Sequence, residues 1–300
     1  MDTFDFEGQY ADALRRILDE GVRSVNRTGT DTLAIHHQYI YIRDVDTRFP
    51  ILNGKKMFPK MALKEVLWML MGRTDTEWLN ERGVTYWDEW ATVPHGSLHT
   101  IGRSYGCQFR DFNGYDQLKK LLKDMREDPV SRRLIISLWN ASDLPYMALP
   151  PCMYDYHFEC TPVTGGYQVY LHAKLRSNDA FLGAPYDFMF CAWLLRVICG
   201  YLNATGTDVY TPADIFYTAD NFHMYVNHKE QVEEYLGNVD ADIDGCIGYK
   251  RQAYLPAPGR DDGITDIDSY LAFIDAHMKD VHVDKNAKHE YRAIQAPIAV

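Results

Sequence analysis

The sequence predicts an α+β fold in which helices pack against a mixed or mostly antiparallel sheet. Three observations carry this. Helical and strand-like periodicities alternate along the chain without the regular spacing of strand–helix–strand units. Residues 154–160 and 167–175 read as paired strands around Gly165-Gly166. Residues 61–71 and 188–202 are apolar runs of helical length.

The elements follow in order. Tyr10, Leu14, Ile17, Leu18 and Val22 recur at helical spacing and open the chain with an amphipathic helix. Asn26-Arg27-Thr28-Gly29-Thr30 is a turn, and residues 32–42 alternate as a strand. Residues 61–71 form a buried helix. Thr85-Tyr-Trp87-Asp-Glu-Trp90-Ala91 is an aromatic block, and Ser104-Tyr105-Gly106 a loop. Leu118, Leu121, Leu122 and Met125 mark a helix stopped by Asp128-Pro129. Residues 134–138 are a short strand. Arg176-Ser177-Asn178-Asp179 ends the second hairpin strand with a polar cluster, and Gly183-Ala-Pro185-Tyr-Asp187 leads into the helix of residues 188–202 with Asp187 as its N-cap. Residues 215–218 are a strand, residues 220–228 open another helix, and residues 256–268 are a polar loop. Ala296-Pro-Ile-Ala-Val300 is an apolar tail expected to fray. No repeat, low-complexity tract or linker interrupts the chain, so residues 1–300 read as one domain.

With 46% hydrophobic residues, the composition is that of a soluble globular protein. No apolar run reads as a membrane span, and the acidic N-terminus lacks a signal-peptide core, so a cytoplasmic protein with no membrane contact is expected. A net charge of −11 argues against direct nucleic-acid binding. The six cysteines are scattered with no C-x-x-C pair, so neither a metal site nor a disulfide framework is expected.

One cysteine stands apart. In Met147-Ala-Leu-Pro-Pro-Cys152 two prolines stiffen the backbone before a thiol. Arg132 and Arg133 lie upstream as cations that would lower its pKa, which makes Cys152 a candidate covalent nucleophile rather than an inert buried thiol. Glu65 sits inside an apolar helix. It is either a carboxylate with a raised pKa suited to proton transfer or the partner of Lys64 or Lys60. Trp87 and Trp90 would serve a planar ligand or simply the core.

Taken together these motifs resemble the thymidylate synthase family from end to end. The resemblance rests on Arg27-Thr-Gly-Thr30, Glu65-Val-Leu-Trp68, Trp87-Asp-Glu-Trp90-Ala91, Tyr105-Gly106, Ser131-Arg-Arg133, Trp139-Asn140 and the Cys152 loop. It continues through Arg176-Ser177 with Asp179, Leu182-Gly183 with Pro185, His223 with Tyr225, Asn227-His228 and the terminus. It implies a thymidylate synthase-like fold, 5,10-methylenetetrahydrofolate as co-substrate and a homodimer. Cys152 would attack C6 of a pyrimidine nucleotide, and Glu65 and Tyr105 would handle protons through water. Arg27, Arg176 and Ser177 would bind the phosphate, joined by Arg132 and Arg133 from the partner subunit. His223 and Tyr225 would hold the sugar. Trp87, Trp90, Asp179 and Val300 would meet the folate.

The departures are informative. Asp187 stands where synthases carry an asparagine that reads uracil. A carboxylate accepts from the N4 amino group of cytosine, and its proton can be shared with N3. A mispaired buried group costs about 1–3 kcal/mol, so Asp187 points to dCMP over dUMP by roughly one to two decades. Together with Arg176-Ser177-Asn178-Asp179 it resembles the viral deoxycytidylate hydroxymethylases, which add water to the one-carbon intermediate and serve modified DNA precursor synthesis. Met153 replaces a usual histidine, Leu175 a glutamine, Asn221 an aspartate and Phe109 a tryptophan. The retained tryptophan block matches synthases that reduce the intermediate to methyl, so reductive methylation of dCMP or dUMP stays open beside hydroxymethylation. A silent nucleotide- or nucleic-acid-binding relative is the third reading.

Overall fold

The computed structural model describes residues 6–241, 251–284 and 292–297. Cys246, Val300 and most of the C-terminal tail lie outside the described residues. The order is α1 (Phe6–Glu20), β1 (Val22–Ser24), β2 (Thr32–Ile42), α2 (Pro59–Leu70), α3 (Glu77–Asn80), β3 (Val93–His95), β4 (Leu98–Thr100), α4 (Gly106–Arg110), α5 (Gln117–Glu127) and β5 (Ile135–Ser137). Then come β6 (Met153–Val163), β7 (Gly166–Leu175), β8 (Asn178–Asp179), α6 (Ala184–Thr205), β9 (Val209–Tyr225), α7 (Lys229–Ala241), β10 (Ala253–Tyr254), α8 (Ile267–Ala276) and β11 (His282–Val283).

A seven-stranded mixed sheet in the order β1-β2-β9-β7-β6-β5, with β8 beside β9, packs against helices, so the α+β expectation stands. The parallel β7–β9 pair is bridged by α6, whereas β2–β9, β6–β7 and β5–β6 are antiparallel. The β6–β7 hairpin turns at Gly165, whose φ of 88° suits the residue without a Cβ.

Helix α6 has 22 residues and a mean hydropathy of 1.4, long and apolar enough by composition to cross a membrane. That corrects the shorter run read from the sequence. The window is 78% buried inside the fold, and Phe188, Trp193, Leu194 and Ile198 are sealed in the core. An apolar helix buried all round is what a large core requires. Pro185 lies in its first turn, a position where the missing amide is harmless. The N-cap is therefore Gly183, and Asp187 stands inside the first turn, not at the cap.

Two other expectations change. Val22 belongs to β1 and is exposed, because α1 stops at Glu20. Residues 220–225 continue β9 instead of opening a helix; helix α7 begins only at Lys229. The β2–β9 register skips His37, whose φ is 55°, and the burial of β9 changes phase at the same level. Tyr217 and Ala219 face inward above the change, Phe222 and Met224 below it. The register itself is unchanged across the unpaired His37 and Asp220, and past this point Asn221, His223 and Tyr225 lie on the less buried side of the strand. The loop of residues 256–268 ends in α8, where Asp266 and Ser269 form a capping box.

Buried Glu7 on α1 fastens the segment before α2. Its carboxylate accepts from Asn53 N and Nδ2, Gly54 N and Tyr235 Oη on α7, all at 2.7–3.0 Å. Glu7→Ala strands these donors at about 1–3 kcal/mol each. The melting temperature should fall by several degrees in calorimetry, and an unchanged transition would show that the donors find other acceptors.

Candidate active site

The site grows from a break in one strand. Leu175 ends β7, and β8 resumes at Asn178 beside β9. Arg176 and Ser177 fill the gap, and the Arg176 side chain turns back onto the Cys152 loop. Its Nε donates to Pro151 O at 2.9 Å and its Nη2 to Pro150 O at 3.0 Å. Its backbone amide donates to Cys152 O at 3.0 Å. The guanidinium also lies 5.6 Å from the Trp139 ring. The prolines cannot donate to these carbonyls' neighbourhood themselves, so arginine supplies the donors that hold the loop.

From the other side, Cys152 N donates to Tyr105 Oη at 2.9 Å. Tyr105 carries φ 29°, a strained value for a residue with a Cβ. The surrounding chain enforces it. Arg103 N donates to Tyr146 O, Ser104 Oγ to Leu149 O, and Ala148 N to Ile101 O, at 2.8–3.0 Å. Gly102 is required in this zipper, since a Cβ there would meet Tyr146 O at 2.1 Å with φ at 72°. Backbone strain beside the Cys152 loop marks a site whose geometry is over-determined.

Burial pushes the Cys152 thiol up, opposed by Arg176, by a hydrogen bond with Tyr105 and by Arg27, and reinforced by Asp187. The expected depressed thiol is thus overturned for the free protein, because desolvation outweighs the cations. The cations are Arg176 and Arg27. Arg132 and Arg133 are exposed just before β5 and are not among the charges named as acting on the thiol. Ser177 is partly exposed in the gap beside Arg176.

Glu65 on α2 opens onto the same cleft. Its Oε2 accepts from Tyr86 Oη at 2.6 Å and its Oε1 from Trp87 Nε1 at 3.0 Å. Lys64 instead donates to Arg82 O and Lys60 to Met278 O, so the lysine pairing is excluded. Burial pushes the Glu65 carboxyl up, and the two donors hold it down. Trp87 packs edge-on against Tyr105 at 5.5 Å and Trp90 at 5.8 Å. The buried Trp90 Nε1 lacks a hydrogen-bond partner, an orphan donor that suits a polar planar ligand.

Asp187 faces this group. Asn178 Nδ2 donates to its Oδ2 at 2.7 Å; Tyr217 Oη donates to Asn178 Oδ1 at 2.6 Å and lies 3.3 Å from the same Oδ2. Burial first, and the Glu65 charge second, push the Asp187 carboxyl up to about 7. Tyr86, Asn178 and Tyr217 were not singled out in the sequence; Asn178 lay within a quoted motif and Tyr86 within the aromatic block, whereas Tyr217 carried no signal beyond strand alternation.

On β9, Asn221 Oδ1 accepts from His223 Nδ1 at 2.9 Å. An amide oxygen can only accept, so the proton sits on Nδ1 and Nε2 is left as an acceptor. Burial keeps His223 low. Tyr225 packs edge-on against it at 5.6 Å and bonds to Thr28 beside Arg27. Asp179 lies in the charge field of Tyr225 and His223, but its Oδ1 accepts from the amides of Phe181 and Leu182 and so braces its own turn. Pro297 O accepts from His228 Nε2 at 2.7 Å, so this part of the tail is docked rather than frayed.

Met153 and Leu175, two of the departures, are cross-strand partners at the start of the β6–β7 ladder. Both are buried, so one apolar contact flanks Cys152. Among the described residues no cluster of three or more His, Cys, Asp or Glu could hold a metal ion.

Arg176→Gln should slow alkylation of Cys152 by iodoacetamide at pH 8 by about threefold or more. Each unit of pKa rise removes about tenfold of thiolate and returns about threefold in nucleophilicity. Unchanged alkylation, followed on the Cys152 peptide by mass spectrometry, would show that Arg176 does not sustain the thiolate.

The chain matches the model of the family described as thymidylate synthase over residues 8–243, a stretch holding every site residue named above except Val300.

Proposed function

This chain belongs to the thymidylate synthase family, and from that premise we propose that it is a deoxycytidylate 5-hydroxymethyltransferase. The family role is one-carbon transfer with methylenetetrahydrofolate as co-substrate, which supplies an electrophilic methylene. The finer reading is that the acceptor is C5 of dCMP and that water completes the product.

The Cys152 thiolate adds to C6 of the pyrimidine. This breaks the ring conjugation and makes C5 an enamine-like nucleophile, dividing one difficult step into easier ones. Arg176 and Arg27 favour the thiolate and meet the nucleotide phosphate. His223 Nε2 accepts from the sugar 3′-hydroxyl, with Tyr225 alongside. Glu65 and Tyr105 handle protons near the base. Trp87 and Trp90 supply the aromatic wall for the folate, and the free Trp90 N–H is a donor for its polar ring.

The observation that carries the choice of base is Asp187. It has no cation partner among the described residues, its Oδ2 is fixed by Asn178, and its carboxyl is pushed up to about 7. A carboxyl that is readily protonated at neutral pH can donate to N3 of cytosine while accepting from N4. The apolar Met153–Leu175 contact and the neutral Asn221 support a site whose water differs from that of a reductive synthase. A homodimer completes the reading, with Arg132 and Arg133 reaching the partner's phosphate. In its favour, both side chains are exposed without a bond among the described residues. A row of only partly covered rings, Tyr41, Phe216, His172 and His157, also stacks across β2, β9, β7 and β6.

Incubation with methylenetetrahydrofolate and either nucleotide tests this, with the product identified by mass and dihydrofolate followed by absorbance. The expected result is a CH2OH product from dCMP alone and no dihydrofolate. A methylated product with matching dihydrofolate would contradict it. Cys152→Ala should abolish turnover. Asp187→Asn should shift preference toward dUMP by roughly ten- to a hundredfold. Asp187 donates while protonated, so kcat/KM for dCMP should decline as pH rises through the Asp187 pKa, and that limb should vanish in Asp187→Asn. A limb that survives the substitution would assign it to another group.

A further inference from the structure

The groups that face Glu65 come from three elements: Tyr86 and Trp87 on the segment after α3, Tyr186 and Asp187 in the first turn of α6, and Tyr156 on β6. None is a cation. Glu65 and Asp187 are therefore two carboxylates on one cleft, and the Glu65 charge makes ionisation of Asp187 harder. What distinguishes them is their donors. Asp187 receives one strong bond, from an amide. Glu65 receives a donor on each oxygen, and the shorter comes from the Tyr86 hydroxyl at 2.6 Å. Burial and the neighbouring Glu65 charge push the Tyr86 hydroxyl well above its ordinary range, so it stays a neutral donor throughout the working pH. A donor aimed at a carboxylate favours its charged form and fixes its orientation.

We propose that Tyr86 is a positioning residue of the reaction: by donating to Oε2 it keeps Glu65 an oriented, ionised acceptor and leaves the cleft's proton to Asp187. This rests on Glu65 and Asp187 acting as the proton-handling and base-reading carboxylates. Tyr86 touches neither nucleotide nor folate in this account. It acts through Glu65, and it couples proton handling to base choice, since a proton taken by Glu65 is one Asp187 no longer supplies.

Tyr86→Phe keeps the ring and removes the hydroxyl. The pH profile of kcat/KM is measured on whichever pyrimidine monophosphate the unaltered protein converts. The acid limb should move up by about one pH unit, because a hydrogen bond to a charged group has been lost. Above the limb, kcat and the KM for nucleotide should return to within about twofold of the unaltered protein. A uniform loss at every pH, or no change, would overturn the proposal. Titration of the Glu65 carboxyl by 13C NMR, assigned by the resonance missing in Glu65→Gln, reads the same shift without turnover. An unmoved Glu65 titration in Tyr86→Phe would reject the role by itself. If the unaltered protein converted neither pyrimidine the functional reading would fall, and the titration would still decide whether Tyr86 governs Glu65.

Discussion

The bond from Arg176 to the carbonyls of Pro150 and Pro151 is the constraint on which the site depends. Two consecutive prolines make a stiff loop but leave its carbonyls without local donors. Arg176 delivers those donors from the gap between β7 and β8. One side chain thereby fixes the backbone before Cys152, places a cation near its sulfur and keeps N–H groups that make no bond to the loop. Tyr105 closes the other side by accepting the Cys152 amide, at the cost of a strained backbone that the Gly102–Tyr146 zipper enforces.

Around that clamp, burial sets the electrostatics. The thiol and both carboxyls are all pushed toward their neutral forms. Proton positions in such a cleft are decided by hydrogen-bond donors rather than by salt bridges, and the lysines beside Glu65 are turned away to carbonyls. This suits a reaction that moves protons on and off a pyrimidine ring. A group with no permanent ion partner can change charge without stranding a buried counter-ion. In a buried cleft a mispaired polar edge at Asp187 is costly, which is why the proposed reading of the base rests on this residue.

Much of this was legible in the sequence, and the failures have physical reasons. Strand β2 is legible to its ends because β-branched and aromatic residues fill it, although its alternation breaks at His36 and His37. Strand β9 is not legible beyond Thr218 because its phase of burial reverses across the unpaired Asp220, and Asp220 and Asn221 then read as a helix start. Asp187 was taken for an N-cap although Pro185 two residues earlier already fits the first turn of a helix. The Cys152 loop and Glu65 stand out by residue type in context, whereas Asp187 stands out only through the family resemblance. The cation beside the thiol was assigned to Arg132 and Arg133, but the sheet carries Arg176 there from the far end of β7 while β5 holds the pair at the surface. Tyr86 and Tyr217 act by touching another side chain across the cleft, a relation that periodicity along one chain does not encode.

In the proposed function Cys152 activates C5 of cytosine and Asp187 chooses the base. Addition of the thiolate at C6 makes C5 basic enough to exchange its hydrogen with solvent before any one-carbon donor arrives. The most direct measurement is therefore deuterium uptake at C5 in heavy water without folate, read by mass spectrometry for dCMP and dUMP side by side. The account predicts Cys152-dependent exchange into dCMP with dUMP near background. Exchange into dUMP at least as fast as into dCMP would contradict it.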